Sequence, residues 1–361
     1  METIPKVMSG VHLTGYGGPE KLVYREDIPV PVPRAGEVLI KVKGAGVNNT
    51  DINTRLGWYS KKVTSDTNSG GAEGFFEVDN GDESWTGAPL KFPRIQGGDI
   101  CGIIVQLGEG VEQDRIGTRT IVRSMQNNPS SSNSLEMETM GSEMDGGFAQ
   151  YCVAKAKESF PINCDWSDIE LASVPISYST AEGMLCRADI EKETILITGA
   201  SGGVGSATIQ LAKIRGATII AQCAPDKAKF LKDLGADQTV NRSDNLVKVL
   251  GKNSVDAVID LVGGSGWPQL LDIIKPGGKY VTSGAIAGPI VDLDLRSLYL
   301  KDLTLYGSTV NDPFIFENVI RYIEEGQIKP LVAQSFPLKE IHKAQKVFME
   351  KKFIGKLVLI P

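Results

Sequence analysis

The chain has 361 residues, enough for two domains of about 100–200 residues each. Hydrophobic residues make up 41% and charged residues 23%, an ordinary globular composition, and a net charge of −6 with a pI near 5.3 speaks against general binding to nucleic acid or to an anionic membrane surface. The five cysteines (Cys101, Cys152, Cys164, Cys186, Cys223) are scattered and form no CxxC pair, which argues against a disulfide framework or a cysteine zinc cluster and suits a reducing cytoplasm.

The opening METIPKVMSGVHLTGYGG lacks a basic segment followed by an apolar core, so no signal peptide is expected, and no apolar run approaches the length of a membrane span. His12 falls in a strand-like segment with no ligand neighbour. LVYREDIPV alternates, PVPRAGEVLIKVKGAGV is a Pro-Gly turn followed by an alternating strand, and IQGGDICGIIVQLGEGV is a buried run bounded by glycine turns. Together these predict a β-rich domain with many reversals, a partial barrel. Two stretches interrupt it. Residues 60–91 are polar and glycine-rich, with Phe75, Phe76 and Trp85 embedded, and residues 124–146 are rich in Ser, Asn and Met. Loops of this length are usually functional or disordered.

Over residues 166–190 the pattern turns helical, and the chain then repeats strand, turn and helix. TILITG is a buried strand, GGVGSATIQLAKIRG a helix and ATIIAQC a strand. DKAKFLKDLGA is a helix, QTVNR and VDAVIDLVG are strands, GWPQLLDIIKPGG is a helix and KYVTSGA a strand. Alternating β and α with apolar strands predicts a doubly wound parallel sheet. NDPFIFENVIRYIEEG reads as a helix. A last helix holding His342, which also lacks ligand neighbours, and the strand FIGKLVLIP return to the first domain.

The buried strand TILITG runs into Ala200-Ser201-Gly202-Gly203-Val204-Gly205 and then straight into an amphipathic helix. In that context the glycines let backbone approach a pyrophosphate, and the helix N-terminus offers N–H groups and the positive end of its dipole. The second strand ends AQCAPDKAKF, with no acid at its tip to bind a ribose 2′-hydroxyl. Lys227 lies near that tip and Arg242 follows the next strand, two cations that suit a 2′-phosphate. NADP(H) is the expected cofactor.

These pieces, with GYGGPEKLVYREDIPVPVPRAGEVLIKVKGAGVNNTDI, PRIQGGDICGIIVQLGEGV, LKDLGAD and GKLVLIP, resemble the medium-chain dehydrogenase/reductase superfamily over nearly the whole chain. The resemblance implies a GroES-like catalytic domain at 1–176 completed by 313–361, a Rossmann domain at 177–312, and an active site in the cleft. It also implies where a zinc enzyme would hold its metal. Asn48 stands at the cysteine position, Gly98 at the histidine position and about Ile176 at the third, and zinc needs three protein ligands even at an open site. No zinc is expected. The chain resembles most the zinc-free branch, the quinone oxidoreductases and enoyl reductases, and its segment Asn48-Asn49-Thr50-Asp51-Ile52-Asn53 followed by Gly57-Trp58-Tyr59 resembles the enoyl-reductase members, in which the matching tyrosine is catalytic.

On that resemblance Tyr59 donates a proton or orients substrate and Asn48 makes a polar contact. Thr50 is a helix N-terminal hydroxyl first and a relay second, Thr180 resembles the threonine that touches the nicotinamide ring, and Asp99 is read as structural. The expected function is NADPH-dependent reduction of α,β-unsaturated carbonyl compounds or quinones. The alternatives are a zinc-free alcohol dehydrogenase or carbonyl reductase using Tyr59 and Thr50, and a non-catalytic NADPH-binding protein. The partners expected are a small-molecule substrate and a second copy of the chain, joined through SLYLKDLTLYGSTV as an edge strand. The 60–91 stretch, starting directly after Tyr59, is expected to be either a lid over the substrate or a surface excursion.

Overall fold

The computed structural model describes residues 3–71, 73–128 and 130–361. Met1 and Glu2 of the expected catalytic domain, Ala72 of the 60–91 stretch and Pro129 of the 124–146 stretch lie outside the described residues. The chain divides into two compact units. The first comprises 1–63, 70–176 and 320–361, and the second 64–69 and 177–319. Thr64–Ser69 clusters with the second unit, where the Thr67 N–H donates to the Ile286 carbonyl at 3.1 Å.

In chain order the first unit opens with β1 (Val7–Leu13), β2 (Leu22–Pro29) and β3 (Glu37–Val47). Helix α1 (Asn49–Leu56) follows at once, with Asn48 as its N-cap in extended conformation and the Asp51 carboxylate accepting the Asn48 N–H at 2.7 Å. Then come β4 (Arg94–Ile95), β5 (Asp99–Leu107), β6 (Arg119–Val122), β7 (Met125–Asn127), β8 (Met137–Thr139), β9 (Tyr151–Lys155), β10 (Ser159–Pro161) and the short α2 (Asp168–Leu171). Of the two long stretches read as loops, the second carries the β7–β8 hairpin, and the first sends Val63, Phe75 and Leu90 into the hydrophobic core. Phe76, by contrast, is 86% exposed.

Helix α3 (Pro175–Arg187) leads into the second unit, which is built from β11 (Thr194–Ile197), α4 (Gly203–Arg215), β12 (Thr218–Cys223), α5 (Ala228–Leu234), β13 (Gln238–Asn241), α6 (Leu246–Leu250), β14 (Val255–Asp260), α7 (Trp267–Ile273), β15 (Ile274–Thr282), α8 (Leu295–Tyr299), β16 (Thr304–Gly307) and the first half of α9 (Pro313–Glu324), whose residues from Ile320 on belong to the first unit. The six strands form one parallel sheet in the order β13-β12-β11-β14-β15-β16, the doubly wound pattern expected. Two elements differ from the sequence reading. The α7 helix stops at Ile273, because Lys275 precedes Pro276 and is biased away from helix, so Ile274 already belongs to β15. SLYLKDLTLYGSTV is not one strand. The Asp294 side chain accepts the Arg296 N–H and starts α8, and only Thr304–Gly307 pairs along the sheet edge.

The chain ends with β17 (Val332–Pro337), α10 (Ile341–Glu350) and β18 (Lys356–Ile360), which return to the first unit. There β18 inserts between β17 and β3, completing the sheet β10-β6-β5-β3-β18-β17, while β9 also pairs with β3. A three-stranded sheet β2-β1-β4 accompanies it. The first unit is thus the β-rich, GroES-like domain expected, made from both ends of the chain. Among the described residues no helix is long and apolar enough to cross a membrane.

Candidate active site

In the first unit the candidate residues meet where β3 gives way to α1. Asn48, 7% exposed, turns its amide inward. Its Nδ2 donates to Asp99 Oδ2 at 2.8 Å, and its Oδ1 accepts from Lys356 Nζ at 2.5 Å. Lys356 also donates to Asp99 Oδ2 at 2.7 Å, and the Ile176 N–H donates to Asp99 Oδ1 at 2.5 Å. All three side chains are buried, so the ammonium is both paired and hydrogen-bonded, the condition under which a buried charge is tolerated. Lys356 was not singled out from the sequence. Its signal was a lysine leading the apolar terminal strand KLVLI, a charge that a buried strand accepts only with a partner.

The three positions where the resemblance would place a metal do not fit one. Asn48 is committed to Lys356 and Asp99. A Cβ on Gly98 would lie 2.7 Å from Ile176 Cδ1 and 3.1 Å from the Met140 carbonyl oxygen, leaving no room for an imidazole. Ile176 has no donor atom in its side chain. Among the described residues no three His, Cys, Asp or Glu side chains are grouped as a metal site requires. A lysine ammonium lies against Asn48, at one of the positions where a zinc relative would hold its cation.

Around this network are two titratable groups. Burial pushes the Asp51 carboxyl up to about 7, against the Asn48 N–H and the charge of Lys356, which favour its ionised form. The Tyr59 hydroxyl donates to Thr50 Oγ1 at 3.1 Å, and burial raises its pKa, opposed by its hydrogen bonds with Thr50 and Asn53. The Tyr59 ring has the edge of Trp58 on it, with centroids 5.6 Å apart at 76°, and is stacked with Trp85, 6.3 Å away at 21°. Trp85 comes from the 60–91 stretch. Thr50, in the first turn of α1, accepts the hydroxyl and holds the phenol at that helix end.

In the second unit the strand-turn-helix is formed as the glycine spacing requires. Ala200 is fully buried, Ser201, Gly203 and Val204 are partly exposed and Gly202 is exposed. A Cβ on Gly205 would lie 2.5 Å from the Gly199 carbonyl oxygen and 2.6 Å from Ala200 Cα, so only glycine lets α4 start this close to the strand end. Gly202 has nothing nearer than 3.5 Å to an added Cβ, which leaves open space before the helix N-terminus. The first N–H groups of α4 have no acceptor within the helix. A pyrophosphate fits this cradle by charge and by space.

Past the tip of β12, Lys227 is the N-cap of α5, and the Arg242 N–H donates to the Cys223 carbonyl at 3.0 Å. The structure thus brings both cations to one strand tip. Burial lowers the Lys227 pKa, Asp226 opposes this and the positive charge of Arg242 adds to it. Lys227 is buried and Arg242 exposed, so the repulsion between the two positive charges acts on a buried ammonium. Thr180 lies part-exposed on α3. Beneath the fingerprint Asp260, at the end of β14, accepts from Tyr280 and Thr198 at 2.6 Å each and fixes the strand ends on which the turn rests.

Comparison with known proteins follows this geometry. A family model described as the alcohol dehydrogenase GroES-like domain matches residues 34–163, and one described as zinc-binding dehydrogenase matches residues 203–325. The chain is 25% identical to quinone oxidoreductase of Rattus norvegicus over 379 residues, covering all of both chains. It is 26% identical to acryloyl-coenzyme A reductase of Metallosphaera sedula, covering 92% of this chain and 95% of that one. A solved structure from Sinorhizobium meliloti 1021, described as a "putative alcohol dehydrogenase", superposes with a TM-score of 0.88 at 46% identity over 99% of this chain and 98% of the other.

Proposed function

Because the chain belongs to the medium-chain dehydrogenase/reductase superfamily, we propose that it is a zinc-independent, NADPH-dependent reductase of α,β-unsaturated carbonyl compounds or quinones. The observation that carries this reading is the Lys356–Asp99–Asn48 network at the family's metal positions, with the Tyr59–Thr50 pair on the helix that Asn48 caps. The relatives named as quinone oxidoreductases and as an acryloyl-coenzyme A reductase support it.

When bound, the nicotinamide supplies hydride to the β-carbon of a conjugated alkene. The chain's own residues must then manage a proton and a growing negative charge on the carbonyl oxygen. Tyr59 keeps its proton through the physiological range because burial raises its pKa, so it can donate to the α-carbon or hydrogen-bond the oxygen. One such bond contributes roughly 3–4 kcal/mol to the transition state. Thr50 places that hydroxyl through their hydrogen bond; when the Tyr59 O–H turns to the substrate, the Thr50 O–H can donate to the phenol oxygen and stabilise the phenolate left behind. Asn48 and Lys356, bonded to Asp99, hold the start of α1 and position both. Gly202–Gly205 and the N-terminus of α4 bind the pyrophosphate, and Lys227 and Arg242 bind the 2′-phosphate.

The 46% identity to the Sinorhizobium meliloti protein favours a second reading, reduction of a C=O group polarised by Tyr59 and Thr50. NADPH oxidation measured against a panel of enones, quinones, aldehydes and ketones separates the two. Turnover of enones with retention of the carbonyl, or of quinones to hydroquinones, is expected. Turnover of saturated aldehydes alone establishes the second reading, and tight NADPH binding with no turnover on any substrate overturns both.

A further inference from the structure

We infer that Trp85 is a positioning residue for Tyr59, holding its ring so that the hydroxyl faces Thr50. This assignment rests on the proton-donor role proposed for Tyr59.

The geometry is built rather than incidental. Trp85 sits in a tight reversal in which Glu83 and Pro89 bridge, the Ser84 N–H donates to the Ala88 carbonyl at 2.9 Å and the Gly87 N–H to the Ser84 carbonyl at 3.0 Å. The reversal is anchored at both ends. Leu90 and Val63 lie in the core of the first unit, and Lys62 pairs with Asp82 at 2.9 Å. It is also gripped by the other long stretch. Thr86 Oγ1 donates to Glu143 Oε1 at 2.9 Å, and Glu143 is fixed in turn by the Thr139 N–H at 3.0 Å and the Ser142 hydroxyl at 3.0 Å. The two interruptions of the β-rich pattern thus clasp each other, and what they present is the indole of Trp85, stacked with Tyr59 at 21°.

With Trp58 edge-on, the Tyr59 ring is limited on two sides, and its remaining freedom is spent on one hydrogen bond. Among the described residues Asp51 is the charged group that acts on this phenol, and it pushes in the same upward direction as burial. Removing the indole admits water to the phenol and frees its ring.

The test uses the full chain with NADPH and the best substrate of the panel. Trp85→Ala is expected to lower kcat roughly two- to tenfold, the range that one stacked aromatic pair is worth. NADPH affinity should stay unchanged, and the alkaline limb of the kcat–pH profile should move to lower pH as the phenol is rehydrated. Trp85→Phe should restore most of kcat. Thr86→Val, which loosens the clasp without touching the ring, should shift both readouts in the same direction by less. In a Tyr59→Phe background Trp85→Ala should have no further effect on kcat. Unchanged kcat and an unmoved limb in Trp85→Ala, with Tyr59→Phe strongly slowed but measurable, overturn the assignment, as does a Trp85→Ala effect on that residual kcat that persists without the Tyr59 hydroxyl. Full activity of Tyr59→Phe overturns the donor role itself, and is read separately.

Discussion

At the scale of single residues, the buried lysine is the feature with most at stake. Lys356 is held by Asp99 and Asn48, and Asp99 is fully buried. Lys356→Met leaves an uncompensated buried carboxylate and should cost about 3–5 kcal/mol of stability. Adding Asp99→Asn removes the orphaned charge, so the double variant should recover most of the loss; chemical denaturation of the three proteins checks this. Asp51 makes a prediction about pH. Its carboxyl is raised from 3.8 to about 7 in the folded state, so the folded protein holds that proton more tightly than the unfolded chain. The stability it contributes is complete below the unfolded pKa and is lost as pH rises towards 7. Asp51→Asn keeps an acceptor for the Asn48 N–H and does not titrate. The melting temperature of the native protein should therefore fall relative to that of the variant between about pH 4 and pH 7; a constant difference over that window would show that Asp51 ionises normally.

At the scale of elements, the strand-turn-helix at Ile197–Gly205 was legible because its chemistry is local. Glycines are needed where α4 starts against the strand end, and the residues around them say so in sequence order. The proposed preference for NADPH rests on two elements that only the sheet brings together, the tips of β12 and β13, paired through Cys223 and Asn241. Replacing Lys227 and Arg242 together by alanine should weaken NADPH binding by roughly a hundredfold or more while NADH changes little, each lost charge-assisted contact being worth about 1.5–3 kcal/mol. Fluorescence titration with both nucleotides checks it, and equal weakening would make the cations part of the general fold. The 60–91 stretch was legible as an interruption, but not as packing. Nothing in a polar, glycine-rich run tells that Phe75 enters the core while its neighbour Phe76 stays in water.

At the scale of the whole molecule, the catalytic unit depends on chain ends far apart in sequence. β18 pairs antiparallel with β3 through Leu357–Val47 and parallel with β17 through Leu357–Gln334, and it delivers Lys356 to Asn48. Loss of the last strand would remove both a central strand of the sheet and the cation of the site. The second unit has an edge. β16 pairs on one side with β15, and near it in sequence Ile290, Leu295, Tyr299 and Leu300 are between 61% and 68% exposed. An unpaired edge strand flanked by apolar surface is costly to leave in water. A homodimer joined along this edge, as expected from the sequence, would bury it. Light scattering at micromolar concentration should return twice 38.8 kDa, and Leu300→Glu with Leu305→Lys should return the monomer with its melting transition retained.

Sequence alone determined what repeats locally: the alternation of β3, the helix-period pattern of α9 and the glycine turn before α4, each of which follows from neighbours within one turn or one strand. The resemblance read from it marked Asn48, Gly98 and Ile176 as the positions where a zinc relative would hold its ligands. Tertiary structure decided what stands around those positions. Lys356 stands 308 residues from Asn48 and 257 from Asp99, and nothing local to the three marks them as partners. They meet because β18 inserts beside β3, and a buried ammonium is stable only where a carboxylate and an amide are already waiting for it. The same holds for Trp85, whose stacking on Tyr59 depends on a reversal held from outside by Glu143.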